Sequence, residues 1–190
     1  MPPRRKVTRE EIVQAAVEVA RRSGVGSVNA RAVAAQLHCS TQPVMYHFAT
    51  IDALKRAAYA RVDRLHTQYL MNASPGRDPL LGIGLNYIRF AVEEPHLFRF
   101  LFQSGYAQGK SLADMIDSDE LNPVLDAMQE GLGMDRERTK AVFLTVALFT
   151  HGYASLIANN ALEFDEALVS AHLERAFYGA VLAAAKEEEK

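Results

Sequence analysis

A single cysteine, Cys39, is all this chain holds, so no internal disulfide can form. No cluster of cysteine and histidine has the spacing of a zinc site either, and neither a metal nor another cofactor is expected. Long apolar runs are missing as well. The longest, such as Ala141 to Leu148, are interrupted well short of the roughly 20 residues that a membrane-spanning helix needs. Near the N-terminus, Arg4, Arg5 and Lys6 are followed by a charged amphipathic segment instead of the continuous apolar core of a secretory signal. The expectation is therefore a cytoplasmic protein with no membrane contact. No glycine-rich phosphate loop is present, and no segment brings together a nucleophile, a base and an orienting group. Cys39 has only His38 as a sequence neighbour, and the chain is not expected to be an enzyme.

What is present is an apolar content of 49% over 190 residues, enough for one large domain or for a small head joined to a larger body. The net charge of −2 hides an asymmetry. Residues 1–66 carry eleven Lys/Arg against five Asp/Glu, whereas residues 67–190 carry ten against eighteen. A basic head on an acidic body suggests that only the head meets a polyanion. A solvated charged surface would give the same count, so local motifs have to decide.

Helical periodicity runs through the whole chain, and no stretch alternates apolar and polar residues as a strand would. The expected fold is all-α, with about nine helices. Thr8 and Glu11 make a capping box for the first, whose apolar stripe is Ile12, Ala15, Ala16, Val19 and Ala20 and which stops before Gly24 and Gly26. A second, short helix follows Asn29 and buries Val33, Ala34 and Leu37. After a turn at His38 and Cys39, Ser40 caps a third, where Pro43 sits in the first turn, which has no N–H obligation. Thr50 caps a long fourth helix from Ile51 to about Asn72. Ser74, Pro75 and Gly76 break the chain, Asp78 and Pro79 open a fifth helix to Glu94, and Pro95 forces a new one through Phe102. Beyond a polar stretch around residues 105–110, helices are expected near Glu120 to Gly131, from Asp135 to about Asn159, and from Asp165 to about Lys186.

Two short helices joined by a tight turn, behind a longer helix and a basic arm, have the geometry that places one helix in a DNA major groove. Thr41 and Gln42 lie in the first turn of that helix, and a glutamine amide matches the donor and acceptor on the major-groove edge of adenine. Tyr46 and His47 at its far end can reach phosphates, and Lys55 and Arg56 stand one turn into the next helix. The segment from Ser27 to Lys55, with Cys39-Ser-Thr-Gln-Pro43 followed by His47-Phe48 and a capped helix containing Leu54, resembles the DNA-binding head of the tetracycline-repressor (TetR) family. That resemblance implies a homodimeric transcriptional regulator, usually a repressor. Its DNA contacts would come from the first three helices and the start of the fourth: here Arg4, Arg5, Lys6, Asn29, Arg31, Ser40, Thr41, Gln42, Pro43, Tyr46, His47 and Lys55. The division implied is a DNA-binding domain over 1–56 and an effector-binding and dimerisation domain over 57–190.

Three positions depart from the family pattern. His38 stands where glycine is usual, so it either takes a left-handed conformation or sits in a slightly different turn. Met45 replaces an aromatic, and Ile51 replaces a lysine. In the body, Tyr87 to Phe98 and Ala147 to Leu156 are similar to TetR-family effector domains with a His-Gly pair in the eighth helix. Tyr87, Phe98, Phe102, Met115, Met128, Phe149, His151 and Tyr153 are the candidates to line a ligand pocket, with His151 and Tyr153 as polar anchors. For any one of these apolar residues, a place in the core is the default reading.

The function expected is sequence-specific repression from double-stranded operator DNA, relieved by a small apolar or amphipathic effector of unknown identity. Homodimerisation is expected through the last two helices of each protomer, a four-helix interface across a two-fold axis with Ala141, Thr145, Gly152 and Ser155 on one helix and Ala176, Gly179, Ala180 and Ala183 on the other as contact points. A ligand-activated regulator, a co-repressor-dependent repressor and a dimeric helical adaptor for a protein partner are the alternatives. Steep salt dependence of DNA binding separates the adaptor from the others.

Overall fold

The computed structural model describes residues 6–72, 79–107 and 121–186. Among these residues there are nine α-helices and no strand. They are α1 (Arg9–Ser23), α2 (Ala30–Gln36), α3 (Thr41–His47), α4 (Ile51–Leu70), α5 (Pro79–Glu93), α6 (Pro95–Phe102), α7 (Asn122–Leu132), α8 (Arg136–Ala158) and α9 (Glu166–Lys186), with short 3-10 turns at Val25–Ser27 and Gly105–Ala107. Ser74, Pro75, Gly76, Asp78 and Glu120, expected to break or open helices, lie outside the described residues.

Local chemistry explains most of the helix ends. At α1 the capping box is complete: the Glu11 amide donates to Thr8 Oγ1 at 3.2 Å and the Thr8 amide donates to Glu11 Oε2 at 2.9 Å. Thr50 Oγ1 accepts from the Ala53 amide at the head of α4. Asp135 and Asp165 do the same for Arg138 and Leu168 at α8 and α9. Pro95 occupies the first turn of α6, where its missing N–H costs nothing. Ser40 is a correction: it has the extended backbone of an N-cap, but its hydroxyl makes no capping hydrogen bond.

The helices group into two compact units that do not follow chain order. The first takes residues up to 68 together with 93–107; the second takes 69–92 and the chain from 108 onward. The family resemblance divides the chain after residue 56. The packing division differs because α6 is drawn back onto α1, delivering Leu97, Phe98, Phe100 and Leu101, each at most 1% exposed, to a core with Ile12, Ala16, Val17, Leu54 and Val62. Polar ties hold it there. Arg21 Nε donates to both Glu94 oxygens, at 2.9 and 3.0 Å. Tyr59 donates its hydroxyl hydrogen to the Leu101 carbonyl at 3.3 Å. Tyr106 donates to Asp52 Oδ1 at 3.1 Å, with the Arg56 guanidinium over its ring and paired to Asp52. His66 packs edge-on to Phe102, and burial pushes its imidazole down to about 4, so it is neutral at physiological pH.

In the second unit α8 and α9 form the most extensive helix pair, and α7 lies against α8. Met128, Val142, Ala180 and Ala184 make the buried centre of this group, with Phe143, Val146 and Phe177 packed around it. Asn86 of α5 is buried and donates through Nδ2 to the carbonyls of Leu70 and Asn72, which the end of α4 leaves without helical partners. Arg89 pairs with Glu166 at 2.6 Å, fastening α5 to the start of α9.

Candidate nucleic-acid interface

The turn between α2 and α3 sets the angle of the second short helix. His38 takes the left-handed conformation, φ 52°, and its amide donates to the Ala35 carbonyl while that of Cys39 donates to Ala34. A β-carbon in that region costs roughly 1–2 kcal/mol, a cost that glycine escapes. His38→Gly is therefore expected to raise unfolding stability by about 0.5–1 kcal/mol, read as a shift of the denaturant midpoint with no change in slope. A destabilised variant would mean that the imidazole makes a compensating interaction.

α3 has a buried root and an outward face. Val44 and Phe48 are sunk in the core, at 0% and 3% exposure, while Thr41, Gln42, Met45 and Tyr46 are exposed on the other side. The spacing i, i+1, i+4, i+5 gathers these four into one stripe. Ser40 is exposed beside it, and because its hydroxyl is not used as a cap it can donate outward.

The other expected DNA-binding residues divide. Lys6 and Arg31 are exposed, Pro43 and Lys55 are half-buried, and Arg4 and Arg5 lie outside the described residues. Asn29 is occupied structurally: Oδ1 accepts from the amides of Arg31 and Ala32, and Nδ2 donates to the Ser27 carbonyl. His47, expected to reach a phosphate, instead lies with Nε2 3.1 Å from the Val7 carbonyl, so as the Nε2–H tautomer it donates there. It ties the start of the N-terminal arm to the end of α3. Both roles are local fastening of the candidate interface. Sequence reasoning missed the outward face of Met45, whose place one helical turn after Gln42 was the available signal.

The eight candidate ligand-binding residues do not form one group within either unit. Phe98 and Phe102 belong to the first, where Phe98 is fully buried and their rings lie 4.8 Å apart. Met128 belongs to the α7–α9 core, and Met115 lies outside the described residues. Tyr87, Phe149, His151 and Tyr153 share the second unit. There the Tyr87 hydroxyl is 2.9 Å from His151 Nδ1, and His151 Nε2 is 3.3 Å from Ser155 Oγ. Burial pushes the Tyr87 phenol up and the His151 imidazole down, so both are neutral. Tyr87 then donates to Nδ1, leaving Nε2 as the N–H that points at Ser155. The Tyr153 ring lies tilted against Phe149, centroids 5.8 Å apart, and its hydroxyl reaches His172 Nδ1 at 3.4 Å.

An open groove of about 330 Å3 runs between α8 and α9, lined by Ala141, Thr145, Ala176, Gly179 and Ala183 among others. Of the eight positions expected at a dimer interface, Ala180 is buried in its own protomer; the rest are exposed or half-buried. Large apolar residues also face outward here: Leu148 and Leu156 are each 51% exposed, and Tyr178 and Leu182 each 63%. By length and composition alone α8 is apolar enough to cross a membrane, yet only 28% of its most apolar window is buried.

Residues 80–178 match the family described as Tetracyclin repressor-like, C-terminal domain. The uncharacterized HTH-type transcriptional regulator YobS of Bacillus subtilis (strain 168) is 25% identical over 171 residues, covering 87% of each chain. Among solved structures, a TetR-like transcriptional regulator from Rhodococcus sp. RHA1 superposes with a TM-score of 0.63 at 16% identity, over 93% of this chain and 96% of that one. A putative TetR-family regulator from Vibrio parahaemolyticus gives 0.62 at 13% identity, over 89% and 96%. These two share the fold.

Proposed function

The chain belongs to the tetracycline-repressor-like (TetR) family of helix-turn-helix transcriptional regulators, and from that premise we propose that it is a homodimeric cytoplasmic repressor released from operator DNA by a small apolar or amphipathic ligand. The observation behind the DNA reading is the outward stripe of α3: Thr41, Gln42 and Tyr46 stand exposed on a helix whose opposite side is anchored by Val44 and Phe48. A helix held this way enters a major groove without rearranging its own core. The uncovered apolar groove between α8 and α9 supports pairing of two protomers, which also accounts for the apolar composition of α8 without a membrane.

Two heads on a two-fold axis read a palindrome with half-sites about one helical turn apart. Gln42→Ala is expected to relax base preference at one position per half-site, where about 1–3 kcal/mol of discrimination disappears with the amide. Removal of Arg4 to Lys6 weakens all sequences alike and flattens the salt slope. Selection from random duplexes followed by titration at two salt concentrations measures both. An unchanged preference in Gln42→Ala would take α3 out of the groove.

For the effector, the second unit offers the hydrogen-bonded pair Tyr87–His151, and Tyr153 against Phe149, as polar groups. A ligand taken there acts only if it prefers the conformer whose heads are wrongly spaced for DNA. α4 is the natural lever, an unbroken helix from Ile51 to Leu70. Linkage then requires operator and effector to weaken each other by the same factor, so the test is each affinity measured with and without the other ligand. Mutual tightening would identify a co-repressor instead.

A further inference from the structure

We propose that Met45 is a base-reading residue, which takes the 5-methyl group of a thymine one or two base pairs from the adenine read by Gln42. This rests on the placement of α3 in the major groove. Met45 is 45% exposed and shares the outward stripe with Gln42, Thr41 and Tyr46, so the packing of the head does not explain it. Its side chain has no donor to offer a phosphate. Facing the polar edge of guanine, cytosine or adenine, it would remove water from those groups and return no hydrogen bond. Only the thymine methyl is an apolar partner on the major-groove floor. An unbranched thioether with three rotatable bonds can follow that methyl where a stiff β-branched chain could not.

Spacing gives the position. Three residues advance a helix by about 4.5 Å, against about 3.4 Å for one base-pair step along each strand. Gln42 and Met45 therefore address neighbouring or next-neighbouring pairs, and each half-site should combine an adenine with a nearby T·A pair. Tyr46, at 84% exposure, stands at the edge of the same stripe with a hydroxyl suited to the flanking phosphate. The Thr41 methyl, one residue before Gln42, and the Tyr46 ring are the other apolar groups on the stripe, and they are the competitors to be separated from Met45.

Deoxyuridine pairs as thymidine does and lacks the methyl, which makes it the probe. Duplexes selected from a random pool by the full chain are resynthesised with each thymidine replaced singly by deoxyuridine. Losing one buried methyl is expected to weaken binding about four-fold at one position per half-site, and about fifteen-fold when both half-sites are changed. Met45→Ala should melt as the wild type does, bind thymidine and deoxyuridine duplexes equally, and keep its preference for the Gln42 adenine. Met45→Leu should retain part of the thymine preference. The proposal fails if deoxyuridine is neutral at every position, if the penalty survives in Met45→Ala, or if Met45→Ala weakens both duplexes alike. Failure to select any sequence would overturn the DNA reading itself, and this inference with it.

Discussion

Gly179→Arg is expected to convert the proposed dimer to a monomer and to lower operator affinity by about a thousandfold or more. The size follows from the gap between specific dimeric binding, typically about 10⁻⁸–10⁻¹¹ M, and the roughly 10⁻⁴–10⁻⁶ M left when only sequence-independent contacts remain. The site is chosen so that the protomer survives. A β-carbon at Gly179 meets nothing within 4 Å, the position is helical, and replacing a helical glycine tends to stabilise. What the arginine does is put a bulky second cation into the α8–α9 groove beside Arg175, where a second copy would have to cover it, a strongly unfavourable event. Light scattering at micromolar concentration should fall from twice the chain mass to one, with an unchanged helical circular-dichroism spectrum. Gly131→Ala, also in open space but on α7, should leave the assembly intact. A Gly179→Arg protein that stays dimeric would put the interface elsewhere.

Phe98→Ala is expected to cost about 3–5 kcal/mol of stability, a large share of the roughly 5–15 kcal/mol that holds a domain folded. Phe98 is fully buried among the residues that join α6 to the first unit, so truncation leaves a cavity next to Phe102 and the base of α1. DNA binding should be retained at low temperature and lost at a much reduced midpoint. Phe98→Leu, keeping most of the volume, should lose far less. Denaturant unfolding followed by circular dichroism measures both. A variant with native stability but altered effector affinity would return Phe98 to the wall of a ligand pocket, the place that sequence reasoning assigns it.

Short-range chemistry is what the residues announce on their own. Thr8 with Glu11, Asn29, Thr50 and Asp135 mark helix starts because their partners lie within four residues, and Pro95 because its missing N–H suits a first turn. The turn at His38 is marked only by the family resemblance, which places a glycine there and leaves two conformations open; the structure gives the left-handed one. Long-range ties are not legible. Nothing near His47 says that its imidazole meets Val7, forty residues earlier in the chain, or near Glu94 that it receives Arg21. Apolar residues raise a second difficulty. Phe98 and Leu148 look alike in a sequence, yet one is buried and the other half-exposed, because periodicity shows that a face is apolar and not what covers it. Ser40 shows the converse: the correct cap residue in the correct place, whose hydroxyl makes no capping hydrogen bond.

The return of α6 onto α1 bears on how the protein is made. A head assembled from residues up to 68 and again from 93–107 cannot close when its last N-terminal helix leaves the ribosome. The seats for Leu97, Phe98, Phe100 and Leu101 stay open until the chain has lengthened to residue 107, a wait of a few seconds at about 5–20 residues per second. During that interval the nascent head exposes an apolar cleft to chaperones and proteases. A gene fragment ending at residue 68 would carry that cleft permanently. A head expressed to residue 107 is therefore expected to hold its fold where one ending at residue 68 does not.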